Sequence, residues 1–278
     1  MSNNLYKSFV VTVTFLTWLL PIPLRGETIK IGGTGAALGT MKILVEAFQK
    51  SHHGVDLPIV PGLGSGGAKK AVLQGAIDVA VTSKAGSVPE NVPGAVTTEY
   101  GRTPFVFATS KNNPIGGVTM QQILNVYSGK MIAWPGGRRL RLIIRPETDS
   151  DTEQLKGISS AMAEAVKSAQ SREGIKMAMT DQDSADAIES IPGALGTSTL
   201  ALILSERRAL KALSWDNVIP TAGTIADGSY AHFKSFYMVT RPKPSEAAEK
   251  FIAFVLSPEG SKILTRLGHW VVKANVGQ

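Results

Sequence analysis

The 278-residue chain contains no cysteine. That absence excludes a disulfide scaffold, a thiolate zinc site, an iron–sulfur cluster, a cysteine nucleophile and a lipid-bearing N-terminal cysteine. Histidine is scarce: there are four, two of them adjacent at His52 and His53, and none falls at metal-ligand spacing. No metal or organic cofactor is therefore expected. Trp134, Trp215 and Trp270 are too scattered for an aromatic cage. The familiar catalytic patterns are missing as well. Gly33-x-Gly35 meets Leu38 where a dinucleotide fingerprint needs glycine, and Gly62–Gly67 runs into Ala68-Lys69 instead of Gly-Lys-Ser/Thr. A nucleophile elbow around Ser65 would need glycine at Leu63. No carboxylate pair is placed as a general acid and base. The chain is not expected to be an enzyme.

Long apolar runs are lacking too, except one. Lys7 is followed by an uncharged stretch from Phe9 to Leu20, then Pro21, Pro23, Arg25 and Gly26. This order reads as a secretory signal, residues 1–26, and the run falls short of the ~20 apolar residues of a membrane anchor. The remainder carries 27 basic and 22 acidic residues, a net +5. Its densest basic stretch, Arg138 to Arg145, has no interleaved aromatics and alternates like a half-wet strand, so nucleic acid is not an expected partner. At about 150 residues per domain, one large domain or two modest ones are expected.

The pattern along the chain is strand, glycine-rich loop, helix, repeated. Strands are predicted at 28–31, 56–60 and 77–81, and helices at 41–50 and 68–74. Gly32–Gly39, Pro61–Gly67 and Thr82–Lys84 are read as the loops between them. Two further strands are predicted at 95–100 and 104–109, and others at 140–145, 194–199 and 236–240. Thr119-x-x-Gln122 is a capping box, and Ser257-Pro258 an N-cap followed by an N1 proline. The alternation indicates an α/β fold with mainly parallel sheets flanked by helices.

Loops that follow parallel strands cluster at one sheet edge, where ligands of such sheets bind. Glycine lets backbone approach a ligand, and helix-start N–H groups attract anions. The hydroxyls of Thr34, Ser65, Thr82 and Ser83 can donate to the same oxyanion.

At these residues the chain resembles the phosphate-binding, PstS-like branch of the periplasmic substrate-binding proteins of ABC transporters. The likeness is carried by Leu63–Gly67, Ala76–Val81, Val118–Gly129 with Trp134, Arg145–Thr152 and Phe251–Leu264. It implies a two-lobed fold with a two-strand hinge, lobe one being 27–108 plus 232–278 and lobe two 109–231. It implies a monomeric periplasmic receptor that binds phosphate between the lobes and delivers it to a permease. The ligand contacts it implies are Thr34, Gly35 and Ala36, then Ser65, Gly66, Gly67, Ser83 and Lys84. Arg145, Asp149, Ser150 and Thr152 would face them from lobe two.

The chain departs from the family pattern in three places. Ser83 stands where many phosphate binders place an aspartate that accepts the ligand's proton and repels sulfate. Gly35 stands where a ligating hydroxyl is common. The Arg145–Thr152 loop is one residue longer and carries Asp149 and Asp151, either of which serves as substitute proton acceptor or as helix cap. Lys84 is a ligand or a solvated lysine; Arg145 is a bidentate ligand or half of a structural ion pair. Sulfate, molybdate or tungstate binding, or an extracytoplasmic sensor on the same fold, are the alternatives.

Overall fold

The structure is a computed structural model that describes residues 27–86 and 90–271. The expected signal segment, 1–26, lies outside the described residues, as do 272–278. The first part of the chain forms β1 (Glu27–Thr28), β2 (Ile31–Gly33), α1 (Gly35–Gln49), β3 (Val55–Asp56), β4 (Ile59–Val60), α2 (Gly64–Leu73) and β5 (Val79–Ala85). Then come β6 (Val96–Ser110), β7 (Gly117–Val118), α3 (Met120–Tyr127), β8 (Arg141–Ile144), α4 (Ser150–Lys156), α5 (Ser160–Ser171) and β9 (Lys176–Met177). These are followed by α6 (Asp181–Ser190), β10 (Ala194–Thr199), α7 (Leu200–Ser205), β11 (Leu210–Ala212), β12 (Ser214–Trp215) and α8 (Ala222–Ala226). The chain closes with β13 (Phe233–Thr240), α9 (Glu246–Leu256) and α10 (Pro258–Arg266).

The main sheet runs β4-β2-β5-β13-β6-β10-β8-β9, with β11 also on β6. β2 lies parallel to β4 and β5, and β8 parallel to β10 and β9; β13 and β6 are the antiparallel members between them. The period-two alternation of strands sorts the core. On β13, Phe236 and Met238 pack with α1 and α9 through Met41, Leu44, Phe48 and Phe251, while Tyr237 and Val239 face Ala68 and Val72 of α2. On β6, Phe105 and Phe107 pack with Ile123 and Met162, while Val106 and Ala108 face Ile188 and Leu202.

β6 joins the halves of this two-lobed α/β fold. Its residues up to Pro104 pair with β13, and Phe105–Ala108 pair with β10. Phe105–Ala108, expected in lobe one, therefore pack with the second core.

The strands expected at 95–100 and 104–109 are one strand. Gly101 does not break it: it pairs with Phe236, and the ladder continues past a bulge at Tyr100, since Tyr237 pairs with Glu99. Thr82–Lys84, read as a loop, is part of β5, paired to Ser235–Tyr237. The glycine runs are helix starts more than loops: α1 begins at Gly35 and α2 at Gly64. The capping box at Thr119 and Gln122 and the cap at Ser257 with Pro258 stand as read.

Candidate functional site

On lobe one the site is made by strand ends and helix starts. Thr34 N–H donates to the Val81 carbonyl at 2.9 Å, so β2 and β5 stay paired to the turn. A Cβ on Gly33 would lie 1.9 Å from that same oxygen, which is why this position must be glycine. The chain then enters α1 at once. Thr34 holds the N-cap position but makes no side-chain cap, and the first turn has no acidic residue. α2 starts at Gly64, whose φ of +61 suits glycine. Ser65 Oγ accepts from Ser83 N–H at 3.2 Å, tying this second helix start to β5. Ser83 Oγ is itself buried with no protein partner.

On lobe two, Arg145 follows β8 and is buried. Its Nη1 donates to the Ala178 carbonyl at 2.8 Å, and its Nε and Nη2 donate to Asp149 at 3.3 and 2.7 Å. Asp149 also caps α4, accepting from Asp151 N–H at 2.9 Å. Asp151 pairs with the buried Lys234 and accepts from the Thr197 hydroxyl at 2.6 Å. Lys234 further donates to Ser150 Oγ at 2.9 Å. Thr152 is turned inward, its hydroxyl on the Arg145 carbonyl at 3.2 Å.

Ten of the twelve expected residues line one cavity of about 960 Å³: Thr34, Gly35, Ser65, Gly66, Gly67, Ser83, Lys84, Arg145, Asp149 and Ser150. The two outside its lining are Ala36 and the inward-facing Thr152. Sequence reasoning missed Asp181 and Gln182 at the start of α6, which also line it. Asp181 Oδ2 accepts from Ala36 N–H at 3.0 Å, and Gln182 Nε2 donates to the Gly35 carbonyl at 3.0 Å. The local signal was present, since Thr180 and Asp183 form a capping box that fixes where α6 begins. What it could not reveal is the partner 145 residues away.

The cavity is lined by the carboxylates of Asp149, Glu153 and Asp181 and by Lys69, Lys84 and Arg145, with the buried pair Asp151 and Lys234 behind them. Burial works to raise the pKa of Asp151, but Lys234 and Arg145 outweigh it and hold it below the usual value. Burial, with Asp151 nearby, pushes Asp149 up and Asp181 up to about 6. Burial disfavours the charge on Lys234, yet the three aspartates keep its pKa above normal. Among the described residues no group of three or more His, Asp or Glu is placed to hold a metal ion. No described helix is long and apolar enough to cross a membrane.

The PBP superfamily domain matches residues 23–259 of this chain. The chain belongs to the PBP superfamily. Among PBP-like relatives, the phosphate-binding protein PstS of Bacillus subtilis (strain 168) is 22% identical over 254 residues, 87% of this chain and 80% of its own length. A phosphate ABC transporter substrate-binding protein from Clostridium perfringens, solved with bound phosphate, superposes with a TM-score of 0.75 at 20% identity. That match covers 89% of this chain and all of the other. An ABC-type phosphate transport receptor from Vibrio cholerae superposes with a TM-score of 0.61 at 17% identity, covering 88% and 100%. In this PBP chain the site lies between the two halves that β6 joins, and residues from both reach it.

Proposed function

We propose that the chain is an exported, monomeric, non-enzymatic receptor that binds phosphate between its lobes and presents it to an ABC permease in the periplasm. The observation that carries this reading is convergence. The starts of α1 and α2, the buried and unpartnered Ser83 hydroxyl, and Arg145 all meet in one cavity. Helix-start N–H groups with an arginine are a setting for a small oxyanion. The phosphate-binding relatives support the choice of ligand. The carboxylates of Asp149 and Asp181 in the same cavity favour an anion able to carry a proton over a fully ionised sulfate, molybdate or tungstate. The lobes of this reading are 27–104 with 232–271, and 105–231, closing about β6 and the start of β13.

Titration calorimetry tests it, on protein beginning at Glu27 and stripped of ligand by unfolding and refolding. Phosphate, sulfate, molybdate and tungstate are compared at pH 6 and pH 8. Submicromolar phosphate binding with the other three rejected is expected. Preference for a fully ionised anion reassigns the ligand, and silence with all four removes the receptor reading.

A further inference from the structure

We propose that Asp181 competes with the incoming oxyanion for the start of α1, so that its carboxylate must be displaced or protonated for the anion to bind. The inference rests on the receptor reading above and assigns Asp181 as the residue that sets affinity and its pH dependence.

The geometry is that of an internal ligand. The carboxylate of Asp181 accepts from Ala36 N–H at 3.0 Å, across the cleft, and lies 3.9 Å from Arg145 Nη2. It thus touches the helix-start donor of one lobe and approaches the arginine of the other, the two groups the receptor reading gives to the oxyanion. The room it occupies is the room of the side chain that Gly35 lacks. A Cβ on Gly35 would lie 2.7 Å from Asp181 Oδ2 and 2.5 Å from Gln182 Oε1.

Beyond Ala36, the Asp181 carboxylate acts at longer range: on Arg145 at 3.9 Å, on Lys234 through the field it adds there, and on the start of α6. The start of α6 is already served by the reciprocal bonds of Thr180 and Asp183, so Asp181 is spare as a cap. α1, by contrast, has neither a side-chain cap nor an acidic residue in its first turn. A carboxylate brought from the opposite lobe supplies the negative charge that a helix start favours.

Charge then dictates what binding must do. The groups facing Asp181 are Arg145 after β8, Asp149 and Asp151 at the start of α4, and Lys234 on β13. Glu206 joins them through Gln182, and the first turn of α1 brings no charge. In this cluster three carboxylates face two cations, while Lys69 and Lys84 line the cavity from lobe one, so an anion at the start of α1 gains most when the Asp181 charge is displaced or neutralised. Asp149 and Asp151 are held by Arg145 and Lys234. Asp181 has the weakest claim on a cation, and its pKa, pushed up to about 6 by burial, brings a proton within reach near neutral pH. A protonated Asp181 keeps a carbonyl oxygen that accepts only a weaker, uncharged hydrogen bond, gives up the negative charge that repels the anion, and gains a donor of its own.

The test compares wild type with Asp181→Asn, which keeps the shape and removes the charge. Phosphate and sulfate are titrated by calorimetry at pH 5.5 and pH 8, in buffers of differing ionisation enthalpy so that proton uptake is counted. Tenfold or greater tightening of phosphate in the variant is expected at pH 8. The gap should close towards pH 5.5, and the proton uptake beyond phosphate's own ionisation should be lost. Sulfate does not ionise in this range, so any proton taken up with it reports on the protein. Amide NMR of the protein without added anion gives a second reading: the Ala36 N–H should titrate near pH 6 in wild type and not in the variant. Equal or weaker phosphate binding by Asp181→Asn, in a wild type that binds, overturns the competitor role alone. A flat Ala36 titration in wild type overturns it as well. Absence of binding in both proteins overturns the receptor reading, and the competitor role with it.

Discussion

Lys234 and Asp151 form an ion pair across the two halves of the fold, with side chains only 1% and 3% exposed. One sits on the strand that returns to the first lobe, the other in the first turn of a helix of the second. Such a pair contributes little beyond what matched apolar residues would, but breaking it leaves a lone buried charge. Lys234→Met should therefore lower stability by roughly 3–5 kcal/mol. Lys234→Met with Asp151→Leu should recover much of the loss, as read by urea unfolding followed by tryptophan fluorescence.

One buried histidine should make a separable contribution to acid sensitivity. His269 is fully buried, with Nδ1 unpartnered, and burial drives its pKa down to about 3. The unfolded chain takes up this proton near pH 6.5, but the folded chain refuses it until about pH 3. The His269 contribution is thus retained above pH 6.5 and falls as the pH drops from there, by up to ~1.4 kcal/mol per pH unit, and below about pH 6 the raised Asp181 opposes it. The Lys234–Asp151 pair works at the extremes instead. Asp151, lowered, loses its contribution only below the usual carboxylate range, and Lys234, raised, only above the usual lysine range. His269→Phe should gain stability relative to wild type as the pH falls from 7 to 4.5, measured as the difference in urea midpoints.

Two glycines of the cleft should respond with opposite sign. A Cβ on Gly33 would collide with the Val81 backbone, so Gly33→Ala must part β2 from β5, at a cost of roughly 2–3 kcal/mol. Gly66 has nothing within 4 Å of the same position and carries no left-handed φ. Gly66→Ala should be neutral or stabilising by up to ~1 kcal/mol, because alanine favours the helix. Thermal unfolding of the two variants separates them.

Arg145 should be sensitive to shape as well as charge. Its fork spans Ala178 and Asp149 through three nitrogen contacts, which a lysine ammonium cannot reproduce. Arg145→Ala should weaken phosphate binding by about 1.5–3 kcal/mol, and Arg145→Lys should recover only part of it. Calorimetry decides, and unchanged affinity in both variants would remove Arg145 from the site.

Features set by neighbours in sequence were legible before any coordinates. The box at Thr119 and Gln122, the strand Ala194–Thr199 and the turn at Ser257-Pro258 each depend on spacings of a few residues. The glycine runs misled because glycine weakens a helix interior, whereas Gly35 and Gly64 to Gly67 sit at helix starts. There, close approach matters more than propensity. Ser83 read as a loop residue because nothing local announces that β13 will pair along it. Asp149 as a cap was readable; its simultaneous hold on Arg145 was not. Asp181 and Lys234 were invisible for one reason: their partners lie 145 and 83 residues distant. A buried charge has meaning only once that distance has been folded away.

The order of strands has a consequence for how the molecule comes into being. β13 lies between β5 and β6, so the sheet of the first lobe is split until residues 233–240 arrive. Every strand of the second lobe's sheet precedes them in the chain. The lobe that begins first is therefore completed last, and a chain cut short before Phe233 would leave Val79–Ala85 as an unsealed sheet edge. Such an edge is open to pairing with another chain until the returning strand closes it.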